Sequence, residues 1–142
     1  MGSSARATLA YGFNLGGGDD EGWKFREFED YEINLSWYDE DDDDELDFAE
    51  QAIGHLKEVT GYANPEREML FKFVPHGYDE WILSAHQITA KQGEAVSIYS
   101  LVDLATSPSA KHWDGRLARV LELLGITPTQ ETAEWILAAD YV

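Results

Sequence analysis

The acidic residues between positions 19 and 50 are the part of this chain whose types and spacing could do chemistry. This segment holds sixteen acids against only Lys24 and Arg26, a net charge of −14 within the −18 of the whole chain. Such a concentration of negative charge favours a cationic partner, either a basic protein surface or a metal ion. Direct binding to nucleic acid is excluded, because the carboxylates would repel the phosphates.

Residues 39–45 are all acidic, and their spacing in an extended chain resembles that of a nucleic-acid strand. An extended chain advances about 3.3 Å per residue, and one DNA strand carries a phosphate about every 3.4 Å. We therefore predict a nucleic-acid mimic that blocks a basic DNA- or RNA-binding protein, with neighbouring aromatic residues as anchors, Trp23 among them. The partner-binding residues assigned on this basis are Asp19, Asp20, Glu21, Glu27, Glu29, Asp30, Glu32, Trp37, Tyr38, Asp39, Glu40, Asp41, Asp42, Asp43, Asp44 and Glu45.

The same run also fits a calcium-binding loop, which is the first alternative. The EF-hand pattern needs oxygen ligands at positions 1, 3, 5, 9 and 12 of the loop. The acids at those positions are Asp39, Asp41, Asp43, Asp47 and Glu50. Against this reading, Asp44 stands where the sharp turn needs glycine, and the preceding segment has the pattern of a strand. The second alternative is a small structural or assembly protein whose acidic loop keeps it soluble.

No catalytic motif accompanies the acids, so we predict a protein that is not an enzyme and that needs no cofactor apart from Ca²⁺ in the alternative above. The chain has no cysteine, which excludes a thiolate zinc site and fits a reducing cytoplasm. Its four histidines lack the i, i+4 spacing of a helical metal site, and no serine lies in a glycine elbow. No run of about 18 apolar residues is present, so we expect no membrane partner.

The length predicts one domain covering residues 1–142. Residues 1–6 are expected to be a disordered leader, of which 1–4 are an addition to the natural chain, and residues 38–45 form the acidic loop. Leu9, Tyr11 and Phe13 alternate with polar or small residues, which predicts a strand. Shorter strands are predicted near residues 23–28 and 31–37.

The remaining pattern predicts a mixed fold. A helix follows the acidic loop, and Gly61 is its stop. Its apolar stripe consists of Leu46, Ala49, Ile53, Leu56 and Val59. Three strands are predicted at 70–75, 79–89 and 94–101, then a polar connection at 103–110. Two helices are predicted to close the chain, one ending at Gly125 and one starting at residues 127–128. We therefore expect an α+β fold with a mainly antiparallel sheet, one helix after the acidic loop, and two C-terminal helices packed on the sheet.

Residues 7–18, with the sequence ATLAYGFNLGGG, precede an acidic segment that contains tryptophan. This opening resembles small acidic uncharacterised proteins of actinobacterial phages. The resemblance covers mainly the first forty or so residues, and no site residue is carried over from it. It implies a phage origin and action in the host cytoplasm. Phage-encoded DNA mimics usually inhibit nucleases, CRISPR effectors or restriction enzymes, which makes an anti-CRISPR or anti-restriction role the expectation.

Overall fold

The computed structural model describes residues 5–18, 22–77, 80–98 and 100–141. Its elements confirm the α+β class: a four-stranded antiparallel sheet, a small two-stranded hairpin and four helices. Within these ranges no helix has both the length and the apolar character needed to cross a membrane. In chain order the elements are β1 (Ala5–Gly17), β2 (Phe28–Glu29), β3 (Glu32–Ile33), α1 (Phe48–Thr60), α2 (Pro65–Met69), β4 (Lys72–His76), β5 (Glu80–Lys91), α3 (Leu101–Ala110), α4 (Trp113–Leu124) and β6 (Glu134–Tyr141).

The strand order of the sheet is β4-β5-β1-β6, so β1 is one of two central strands and pairs with β5 on one side and β6 on the other. Its register against β5 shifts after Tyr11, at the point where Gly12 lies against β5. A Cβ atom on Gly12 would collide with the backbone carbonyl of Leu83, so this close approach requires glycine. The alternation seen in the sequence therefore identifies the strand on which the rest of the sheet is built.

The sheet is curled, because its edge strands β4 and β6 contact each other although two strands lie between them. The inner side of the curl is filled by Ala10, Val74 and Ile82, with Ile136 and Ala138 beside them. These apolar side chains form a second, small cluster, and among the described residues it includes none from a helix. The other side of the sheet is left for α1 and α4.

Helices α1 and α4 cover that second side and complete the main core. Phe48 and Leu56 of α1, with Leu117 of α4, pack on Leu15 and Leu83 of the sheet. The predicted end of α1 is confirmed, since Gly61 caps the helix in the left-handed conformation. The predicted apolar stripe is correct in its middle part, where Ala49 and Leu56 are buried and Ile53 packs against the core. Its two end residues, Leu46 and Val59, are exposed, and residues 48, 51 and 52 are buried in addition.

The C-terminal half differs from prediction in two places. Residues 94–98 form no strand, and the predicted polar connection at 103–110 belongs to α3, which Ser100 caps through its side chain. The helix predicted after Pro128 is instead strand β6. Trp135 and Leu137 of β6 lie opposite Tyr11 and Leu9 of β1. The gain from completing the sheet outweighs local helix propensity. Of the two predicted closing helices, α4 is confirmed and the last is wrong.

The N-terminal half needs smaller corrections. Strand β1 begins at Ala5, so residues 5 and 6 belong to the sheet and not to a leader, while residues 1–4 lie outside the described ranges. Between residues 22 and 37 the predicted strands shrink to single bridges at Trp23 and Phe25 and to the two-residue strands β2 and β3. The acid-rich segment is therefore built mainly of turns.

Candidate functional site

The acidic loop folds into turns and does not run extended. The backbone N–H of Asp41 donates to the Asp39 carboxylate at 3.0 Å, and those of Asp44 and Leu46 donate to the Asp42 carboxylate at 3.1 and 3.2 Å. Glu45 then takes a left-handed conformation with φ 56°. The premise of a linear, phosphate-like spacing is therefore wrong. Asp39 and Asp42 act as turn acceptors, and the loop gathers its charge into a compact cluster.

Gln51, a buried residue in the first turn of α1, holds both ends of this loop. Its Oε1 accepts from the backbone N–H of Asp39 at 2.7 Å. Its Nε2 donates to the carbonyls of Asp39 at 2.8 Å and Leu46 at 2.9 Å. One side-chain amide thus uses its acceptor and both donors on the loop backbone, which fixes the loop to the helix.

The remaining carboxylates of the loop point into solvent without neutralisation. In the described part of the chain the ion pairs join Arg6 to Asp140, His76 to Glu80 and Arg119 to Glu122, and none reaches the loop. Five further acids of the loop are exposed, and no hydrogen bond between described residues involves their side chains. They are Glu40, Asp41, Asp43, Asp44 and Glu45. The loop therefore presents a fixed, uncompensated cluster of negative charge.

A second acidic feature is the β2-β3 hairpin, whose two-residue turn is formed by Asp30 and Tyr31. Both have positive φ, 51° and 64°, as a type I′ turn requires. Neither is glycine, so the turn is strained, and for a tyrosine positive φ is unusual. The Tyr31 side chain is 93% exposed, and Glu29 and Glu32 pair at the base of the turn. The alternating pattern had placed Tyr31 in a strand, and no glycine or proline signalled the turn.

The other assigned residues have structural contacts that the sequence did not indicate. Trp37 donates its indole N–H to the Leu124 carbonyl at 2.7 Å. Tyr38 and Trp23 pack on Phe48, with ring centroids 5.6 and 4.6 Å apart. These half-buried aromatic residues attach the acidic segment to the core, and their role as partner anchors stays a prediction. Residues 19–21, also assigned to the partner surface, lie outside the described ranges.

Glu27, another assigned residue, also has a structural partner. Its carboxylate accepts the backbone N–H of Thr127 at 2.6 Å. The neighbouring Arg26 N–H donates to the Thr127 carbonyl at 2.9 Å. These two bonds connect the beginning of the hairpin to the segment before β6. Glu27 therefore helps to position the hairpin, and its charge is partly satisfied.

The acids of the calcium alternative are not assembled into a ligand set. Asp47 and Glu50 form the capping box of α1: the Asp47 carboxylate accepts the Glu50 backbone N–H at 2.8 Å, and the Glu50 carboxylate accepts the Asp47 backbone N–H at 3.2 Å. Asp39 serves the turn described above. Across the described residues, no three His, Asp or Glu side chains converge in a way that could hold a metal. The EF-hand spacing therefore reflects turn and cap chemistry in this structure.

A cluster of aromatic residues that the sequence did not predict joins α4 to the sheet. His86 stacks on Trp113 at 4.9 Å, and Tyr11 donates to the Asp114 carboxylate at 2.7 Å. Burial and this carboxylate raise the pKa of Tyr11 to about 12, and burial together with Lys111 lowers the pKa of His86. Both side chains are therefore neutral at physiological pH, as suits packing beneath a helix.

Comparison with known proteins found no matching family model, no similar curated protein and no similar solved structure. Fold and site together describe an α+β protein with two exposed acidic features on an ordered scaffold. We call these two features, the acidic loop and the β2-β3 hairpin, the acidic face. The resemblance to phage proteins stays an expectation.

Proposed function

We propose that this protein is a non-enzymatic inhibitor whose acidic face binds the basic surface of a nucleic-acid-binding protein. The observation that carries the proposal is the fixation of seven consecutive acids by Gln51. A loop that only adds solubility needs charge but no defined shape. Gln51 instead holds the loop backbone at three points, although bringing the carboxylates together raises their mutual repulsion.

A fixed cluster of carboxylates has two advantages for binding a basic partner. It steers the approach of the partner over long range and so raises the association rate. Because the loop is already ordered, less conformational entropy is lost when the complex forms. Both effects favour a surface that competes with nucleic acid for a cationic groove, here through clustered rather than linear charge.

Tyr31 supplies an aromatic contact in addition to the charges of the acidic face. Tyrosine is enriched among residues that dominate binding energy in interfaces. Here it stands almost fully exposed at the hairpin tip, beside Asp30 and between Glu29 and Glu32. Backbone strain held at such a residue is typical of functional positions. We assign Tyr31 the role of aromatic anchor, with the surrounding acids matching basic residues of the partner.

The phage resemblance suggests where such a partner is found. A phage protein acting in the host cytoplasm would meet nucleases, CRISPR effectors and restriction enzymes, all of which hold nucleic acid in basic grooves. We propose these anti-defence targets as the partner class.

Displacement of bound proteins from DNA tests the proposal without prior identification of the partner. Bacterial lysate is loaded on immobilised double-stranded DNA, which is then eluted with this protein at low salt. The matched variant carries Glu40→Gln, Asp41→Asn, Asp43→Asn and Asp44→Asn, which spares the turn acceptors Asp39 and Asp42. We expect the wild-type protein to release a discrete protein from the DNA and the variant to release much less. Raising the salt should suppress the release, because exposed charge pairs are screened.

The control variant removes the same number of negative charges elsewhere, through Glu58→Gln, Asp103→Asn, Glu131→Gln and Glu134→Gln, all exposed positions. It should release as much protein as the wild type. Equal release by both variants would show that only net charge matters. Failure of the wild-type protein to release anything would reject nucleic-acid mimicry.

A further inference from the structure

A cleft lies between the end of α1, the short helix α2 and the outer side of α4, in a part of the molecule to which no function has been given. Its volume is about 610 Å³, within the usual range of small-molecule pockets. We call it the helical cleft. Its apolar lining includes Val59, Tyr62, Met69, Leu70 and Leu123.

The apolar residues of the helical cleft are unusually exposed. Val59 is 48%, Tyr62 42% and Leu70 52% exposed. Single exposed apolar side chains are ordinary, but several of them on the walls of one concavity indicate a binding surface. An apolar portion of a ligand would therefore gain contact with all three residues at once.

Two walls of the cleft also contain strained backbone. Leu70 ends α2 in the left-handed conformation, φ 58° and ψ 53°, at a position where glycine is preferred. His112 begins α4 with φ 58° and ψ 34° and makes no side-chain cap hydrogen bond. In neither residue does the side chain make a hydrogen bond that caps the helix. Each conformation instead places its side chain in the lining of the cleft.

The charged groups of the cleft are mainly cationic, in contrast to the rest of this acidic protein. Arg116 and Arg119 both line it, together with the single acid Glu68. Arg119 has only a solvent-exposed pair with Glu122 at 3.9 Å. Among the residues the structure describes, no carboxylate pairs with Arg116, which is half-buried and also lines the adjoining hollow beside Lys111. A guanidinium in this setting matches a carboxylate, which it can bind through two parallel hydrogen bonds.

We propose that the helical cleft binds a small amphipathic carboxylate. Its apolar body lies against Val59, Leu70 and Leu123, and its carboxylate is bound by Arg116 with Arg119 beside it. The two arginines disfavour a basic ligand. The chain's net charge of −18 disfavours a second copy as the occupant. This site is independent of the acidic face and of the function proposed for it.

Calorimetric titration with decanoate tests the proposal on the full chain, using 1-decanol and acetate as paired probes. Decanoate should bind at one saturable site. 1-Decanol, with an equally long apolar chain and no charge, should bind at least about tenfold more weakly, since a charge-assisted hydrogen bond contributes that much. Acetate, which lacks the apolar body, should show no saturation in the same range. Binding of both ten-carbon probes with equal affinity would overturn the assignment of Arg116.

Two substitutions then locate the site. Arg116→Met keeps an apolar side chain of similar length and should weaken decanoate binding at least about tenfold. Arg67→Met removes the same charge from an exposed position of α2 that does not line the cleft, and it should leave the affinity unchanged. A urea unfolding curve shows that each variant is folded. Loss of binding in both variants, or in neither, would place the decanoate elsewhere and reject the proposal, as would the absence of saturable binding by the wild type.

Discussion

The acidic face and the helical cleft present opposite chemistry on one small scaffold. The acidic face is formed by residues close together in the sequence, and hydrogen bonds from side chains to backbone fix its shape. The helical cleft is formed by residues from three separate helices, and the packing of those helices fixes its shape. The first can be recognised from local composition, whereas the second exists only after folding.

The two regions share one property, which is backbone strain. In the described part of the chain five non-glycine residues have positive φ. Asp30, Tyr31 and Glu45 belong to the acidic face, while Leu70 and His112 line the helical cleft. Strained residues persist where surrounding structure over-determines them, and they collect at functional sites. Their distribution therefore supports two sites rather than one.

The largest effect on stability is expected where the acidic face joins the core. Phe48 contacts Trp23, Trp37 and Tyr38, so it attaches the acidic segment to α1. Phe48→Ala should lower the free energy of unfolding by about 3–5 kcal/mol. Leu70→Ala in the helical cleft, where the side chain is half-exposed, should have a much smaller effect. Urea denaturation of both variants measures the difference. Equal losses of unfolding free energy would show that Leu70 contributes as much to stability as Phe48 does.

Gln51 provides the next test, because it shapes the loop without belonging to the apolar core. Gln51→Ala should lower the free energy of unfolding by about 1–3 kcal/mol, since backbone groups of Asp39 and Leu46 lose their partners. Amide exchange at Asp39 should become faster. Gln92→Ala, which removes one exposed hydrogen bond to Ala5, is the matched control and should change little. Unchanged exchange at Asp39 would mean that the loop holds its shape without Gln51.

The sequence was sufficient for elements with a strong local pattern and insufficient where distant pairing decides. Strand β1 and helix α4 follow from apolar periodicity, and α1 from its partly correct stripe and its stop at Gly61. Strand β6 was mistaken for a helix because its pairing with β1 is more than 120 residues away in the chain, as in Ala5 with Tyr141. The local concentration of acidic residues predicted which segment forms the acidic face. It did not predict that this segment folds into turns. Nothing local brings Leu70 beside Arg116.

Alkaline pH offers a test of the packing of α4 on the sheet, at the aromatic cluster around Tyr11. Its pKa is raised from 10 to about 12, so the folded state keeps a proton that the unfolded state loses. The resulting stabilisation is fully present below pH 10 and is lost as pH rises through about 12. Tyr11→Phe should remove this part of the pH dependence. Urea unfolding across that range measures it, and an unchanged slope in the variant would assign the dependence to another group.

The smallest stability effects are expected at the strained residues, where the two sites can be separated most clearly. Tyr31→Gly and Leu70→Gly each relieve a positive φ but add freedom to the unfolded chain, so stability should change by less than about 1 kcal/mol. Tyr31→Gly should weaken displacement of proteins from DNA and leave decanoate binding intact. Leu70→Gly should do the reverse. If either substitution weakened both activities, the two regions would be coupled through the fold. If neither weakened its own activity, the strain at these residues would have no bearing on binding.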